Sequence, residues 1–122
     1  MGAEHKVQVA LAKEFGQPFA ARTLQVGLKL NREPAYKEFD AVSLDGKVVA
    51  MVKDYSAQNL QGNQTRHARV MRDLYYLSLV KAEKRFMYLS AEFYEWFATQ
   101  QDASIPYGLE VRIIPSQSNA YG

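Results

Sequence analysis

The dipeptide Asp45-Gly46 lies between two apolar-rich runs, residues 36–44 and 47–55, and it limits the fold of this chain more than any other feature. Asp and Gly tolerate the positive φ needed at the centre of a two-residue hairpin turn, so the two runs are expected to be adjacent antiparallel strands. A two-residue turn also fixes the register. It sets Asp40 opposite Met51 and Glu38 opposite Lys53. Strand side chains alternate with period two, so all four are expected on one face of the ribbon.

The rest of the chain supplies elements on both sides of this hairpin. Val7, Leu11 and Phe15 recur at helical spacing, and Gly16 and Pro18 end the pattern, which predicts a helix over residues 3–15. Leu24, Val26, Leu28 and Leu30 alternate with polar residues as in a half-buried strand over 23–30. After the hairpin, the polar run 56–65 reads as a loop and 66–81 as a helix with Val70, Leu74 and Leu77 on its apolar stripe. A short strand over 85–89, a helix from Ser90 or Ala91 and a last strand LEVRII complete the order αβββαβαβ. This is an α/β chain. At 122 residues and 48% hydrophobic it has enough apolar material for one core, so one domain is expected over 1–115, with a flexible tail over 116–122.

Composition excludes several classes. There are no cysteines, so neither disulfides nor thiolate metal sites are available, and a cytoplasmic location is expected. The apolar run near the start is broken by Glu4, His5, Lys6, Lys13 and Glu14, unlike a signal peptide or a membrane span. A net charge of +2 does not by itself call for a polyanionic partner. The sequence contains no Gly-rich phosphate loop, nucleophile elbow or paired-His metal motif.

By strand patterning alone, Glu38 and Lys53 make a cross-strand ion pair on a solvated face, worth at most about 1 kcal/mol. The segment also resembles the restriction-endonuclease-like PD-(D/E)xK superfamily. That family has an αβββαβ core, an acidic residue on the second strand and an acidic-x-Lys motif on the third. Here Phe39-Asp40 stands at Pro-Asp and Met51-Val52-Lys53 at (D/E)-x-K, with Met51 in place of the acidic residue. The likeness covers about residues 3–90 and implies a mixed sheet flanked by helices.

It further implies catalytic roles for Asp40 and Lys53, with Mg²⁺ held by Asp40 and an N-terminal-helix glutamate such as Glu14 if the site is active, and no cofactor otherwise. A thioether cannot replace a carboxylate for Mg²⁺. The missing role could fall to Glu38, to Glu14, or to Asp54 through a local bulge. Glu38 is best placed, because Asp54 points to the opposite face of a regular strand.

Arg66, Arg69 and Arg72 recur at i, i+3 along one helix edge, with Gln64 just before them. If the resemblance holds, these four flank a substrate groove for nucleic acid, expected to be DNA; otherwise they form a solvated helix face. A lone histidine such as His67 rarely serves as a general base without an oriented carboxylate, and His5 is a weaker candidate still. Tyr75, Tyr76, Phe93, Tyr94, Trp96 and Phe97 could stack bases, but their helical spacing favours core packing or a dimer contact. Two functional readings stay open. One is a nuclease-like nucleic-acid-binding domain, either cleaving with Mg²⁺ or catalytically degenerate. The other is a noncatalytic protein-interaction module that uses the helix 91–101 or an edge strand as its contact surface. In either case a homodimer or protein partner would supply further surface, and no membrane is involved.

Overall fold

The computed structural model describes residues 2–55, 60–101 and 103–116. Its elements are α1 (Ala3–Phe15), β1 (Phe19–Leu28), β2 (Pro34–Ser43), β3 (Val48–Lys53), α2 (Leu60–Leu79), β4 (Lys84–Leu89), α3 (Ala91–Ala98) and β5 (Leu109–Ile113). The αβββαβαβ order is present. The expected tail lies, beyond Ser116, outside the described residues, as do positions 56–59 of the expected loop. The remainder of that loop is helical: α2 begins at Leu60, and its polar first turns leave no apolar stripe from which to read the start.

The five strands form one mixed sheet in chain order, β1-β2-β3-β4-β5. The first three make an antiparallel meander, whereas β4 runs parallel to β3 and β5 parallel to β4. Parallel neighbours need a crossover, and α2 and α3 supply the two that are required.

Alternation along β3 and β4 divides the core into two layers. Val48, Ala50 and Val52 join Phe86 and Tyr88 beneath Val7 and Leu11 of α1. Val49 and Met51 join Met87 and Leu89 against Val70, Leu74 and Leu77 of α2 and Phe93 and Phe97 of α3. Each fully buried Leu or Phe contributes about 1.5–3 kcal/mol, so the two layers supply most of the drive to fold. The aromatic residues of α3 therefore face inward. Ser90 caps this helix by accepting from Phe93 N, and Gly16 closes α1 in the left-handed conformation (φ 70°).

The hairpin departs from the two-residue turn. Gly46 has φ 75° but Asp45 does not have positive φ, and Gly46 N donates to Ser43 O. The loop therefore runs over Leu44–Lys47, with Asp45 Oδ1 accepting from Ser43 Oγ and Lys47 N. These bonds and that from Gln17 hold the Asp45 carboxyl down to about 2. The expected register survives next to the loop, where Ala41 pairs with Ala50 and Val42 with Val49.

Candidate functional site

Farther from the loop the register does not continue. On the β1 side, Ala20 pairs with Val42 and Arg22 with Phe39, so Asp40 and Ala41 together oppose Ala21. This is a β-bulge in β2, and it resets which residues share a face. Phe39 and Val42 both lie in the α2 layer, while Ala41 lies in the α1 layer. Asp40 goes with Ala41: its carboxyl hydrogen-bonds Glu4 of α1, and its backbone oxygen accepts from Gln8 Nε2 at 2.8 Å. Its Oδ2 also accepts from Val52 N at 2.7 Å, taking the place of a strand partner that the bulge removes.

Met51 and Lys53 project from the other side of the sheet. Met51 is buried in the α2 layer at 2% exposure. Lys53 reaches α2, where its Nζ lies 2.6 Å from Asp73 Oδ2. The expectation that Glu38, Asp40, Met51 and Lys53 share one face is thus corrected. The bulge sits in β2 rather than in β3, so it carries Asp40 to the face of Val52 and Asp54. Glu38 is exposed on β2 and forms no ion pair with Lys53, which is committed to Asp73.

On the α1 side, a cavity of about 520 Å³ opens between the start of α1 and the end of β3, lined by Glu4, His5, Gln8, Val52 and Asp54 among others. Burial raises the Asp40 carboxyl to about 7, and the bond to Glu4 adds to the rise; the Val52 N–H and the Lys53 charge oppose it. Asp40 therefore holds a proton at the contact with Glu4 up to neutral pH.

The expected Mg²⁺ ligands do not assemble. Glu14 lies about 15 Å along α1 from Glu4, ten residues at the helical rise. It is held there by Arg112, whose Nη1 and Nη2 meet its two oxygens at 2.7 and 3.1 Å. That pairing keeps the Glu14 carboxyl below its ordinary range. Among the described residues, no group of three or more His, Asp or Glu side chains is placed to hold a metal ion. The residues present do not fit the implied Mg²⁺ site, and no step of metal-assisted cleavage is assigned to them.

On the α2 side the charges converge. Asp73 is fully buried, and three cations meet its carboxylate: Lys53 at 2.6 Å, Arg72 Nε at 3.5 Å and Lys37 Nζ at 3.8 Å. Among the described residues, three positive groups against one negative leave a surplus of two positive charges, carried on side chains that solvent still reaches. Arg69 is exposed one turn earlier on the helix, and Gln64 is exposed near its start. The Arg66 guanidinium lies 5.2 Å from the Tyr55 ring centroid. The His67 ring packs against Trp96 and Phe97 at 5.9 and 5.1 Å, placing it in an aromatic cluster.

Asp73 and Glu4 are the site residues that sequence reasoning missed. Asp73 sits three residues after Val70 and one before Leu74, a carboxylate on the apolar stripe, which signals a buried counter-charge. Glu4 precedes Val7 and Leu11 at i, i+3, i+7 and so lies on the sheet-facing side of α1. Comparison of the chain with protein-family models, with curated proteins and with solved structures gave no match. Among the described residues no helix is long and apolar enough to cross a membrane.

Proposed function

We propose that this chain is a nucleic-acid-binding domain on a nuclease-like scaffold, and that it holds the phosphate backbone on the basic face where β2, β3 and α2 meet. One observation carries the reading: Lys37, Lys53 and Arg72 converge on the single buried carboxylate of Asp73. A buried carboxylate fixes its cations in place, and ammonium and guanidinium groups have donors beyond the one each turns to Asp73. The remaining donors, with Arg69 beside them, make a pre-positioned electropositive surface of the kind that takes phosphate oxygens. The scaffold part of the reading is supported by the agreement of element order with the αβββαβ core, and by a meander followed by a parallel strand.

A binding role is favoured over a cleaving one by the placement of Asp40 and Lys53 on opposite faces of the sheet. The test is fluorescence anisotropy with labelled DNA at several salt concentrations, using wild type and an Arg69→Ala/Arg72→Ala double variant. Affinity is expected to fall steeply with salt. The variant is expected to bind about tenfold or more weakly, with a shallower salt slope. Absence of salt-dependent binding by wild type, or equal binding by the variant, would refute the assignment.

A further inference from the structure

Beside the cation cluster α2 carries two adjacent tyrosines that phosphate binding does not use. Tyr75 is 60% exposed, and its ring centroid lies 6.0 Å from that of Tyr76. Tyr76 is partly buried against the core, and Lys37 Nζ sits 5.4 Å from its centroid. The same ammonium is 3.8 Å from Asp73, so one lysine joins the aromatic pair to the phosphate-binding centre. Arg72 and Tyr75, three residues apart, share an edge of the helix.

A singly exposed aromatic residue is ordinary on a protein surface. This one differs in its neighbours: its ring stands 6.0 Å from that of Tyr76, over which Lys37 Nζ sits at 5.4 Å, and that ammonium also meets the buried carboxylate of Asp73. Surfaces that hold single strands combine a basic track for the backbone with aromatic faces on which bases stack. A duplex presents phosphates outward but keeps its bases paired and stacked inside, so it would gain nothing from Tyr75.

We propose that the ligand of this face is single-stranded nucleic acid, one base stacking on Tyr75 while the neighbouring phosphates take Lys37, Arg69 and Arg72. This rests on the phosphate-binding reading above and names its substrate class. The experiment compares anisotropy titrations of a labelled oligothymidine and of a mixed-sequence duplex of equal length at one salt concentration. The proteins are wild type, Tyr75→Ala, Tyr75→Phe and Arg69→Ala/Arg72→Ala, with circular dichroism confirming that each is folded.

Wild type is expected to prefer the single strand. Tyr75→Ala is expected to bind it about tenfold more weakly, while Tyr75→Phe stays close to wild type and duplex binding does not move. A duplex preference in wild type, or single-strand binding unaltered in Tyr75→Ala, would overturn the inference. In that event loss of binding in the arginine variant would leave the phosphate reading standing. An arginine variant that binds like wild type would remove both.

Discussion

Lys53 Nζ lies 2.6 Å from Asp73 Oδ2, joining the end of β3 to the middle of α2. On the opposite face of the sheet the Asp40 carboxyl Oδ2 accepts from Val52 N at 2.7 Å. Consecutive residues of one strand thus serve different layers, and the two charged residues of the apparent motif have separate partners. The lysine stands with two other cations around a carboxylate, an arrangement suited to holding an anion.

Removing the buried carboxylate should expose how much the cluster depends on it. Asp73→Ala leaves Lys37 and Lys53 partly buried without a counter-charge, and is expected to destabilise the protein by about 3–5 kcal/mol in urea denaturation. Combining Asp73→Leu with Lys53→Met should recover much of that loss, since a well-packed apolar pair often replaces a buried ion pair at little cost. A loss under about 1 kcal/mol for Asp73→Ala would place the pair among ordinary surface salt bridges.

Asp40 makes stability depend on pH. Its carboxyl titrates at about 7 in the fold against an ordinary value of 3.8, so between these values the folded chain binds more protons than the unfolded one. Stability from this group is fullest at the acid end of the window and is lost as pH rises through 7. Solvent reaches the group, and screening reduces the effect to about 1–2 kcal/mol. Asp40→Asn keeps an oxygen for Val52 N and offers Glu4 an amide donor, so urea midpoints of this variant should stay flat where those of wild type decline.

Periodicity was sufficient for the elements whose stripes are continuous. Val7, Leu11 and the Gly16 stop delimit α1, the Asp45-Gly46 turn signal marks the hairpin strands on either side of it, and a short apolar run marks β4. The bulge was not legible, because two residues opposing one leaves no composition signal when both are tolerated in a strand: Asp40 and Ala41 look like ordinary alternation. That single inserted residue decides which side Asp40 faces, so a register that holds at Ala41 and Val42 fails at the next position. The site suffered more than the fold for this reason. Sheet order depends on many residues, whereas the motif depended on one.

Arg112 fastens β5 to α1 and offers a separate test of the fold. Its guanidinium meets both oxygens of Glu14, bonds Glu110 at 2.7 Å and the Tyr88 hydroxyl at 3.1 Å, and lies 4.1 Å from the Phe86 ring centroid. Lysine has neither the fork nor the plane for these contacts, so Arg112→Lys is expected to cost about 1 kcal/mol at neutral pH. Glu14 has its carboxyl lowered from 4.5, so its share of stability is present above that value and lost as pH falls below it. The thermal midpoints of wild type and variant should therefore converge in acid.

Met51→Glu would restore the sequence motif to its family form, yet it is expected to damage the protein instead. Met51 is 2% exposed among Phe39, Val49, Val70 and Met87 in the α2 layer, away from the Asp40 and Glu4 carboxyls. A carboxylate there loses its hydration without a ligand in return, and the expected loss is about 3 kcal/mol or more. Met51→Leu, similar in volume, should lose less than about 1.5 kcal/mol. Urea denaturation measures both, and plasmid nicking with Mg²⁺ supplies the second readout, in which neither variant is expected to cleave. A Met51→Glu protein as stable as wild type that nicked DNA with Mg²⁺ would put residue 51 beside Asp40, and the bulge would then have to be absent.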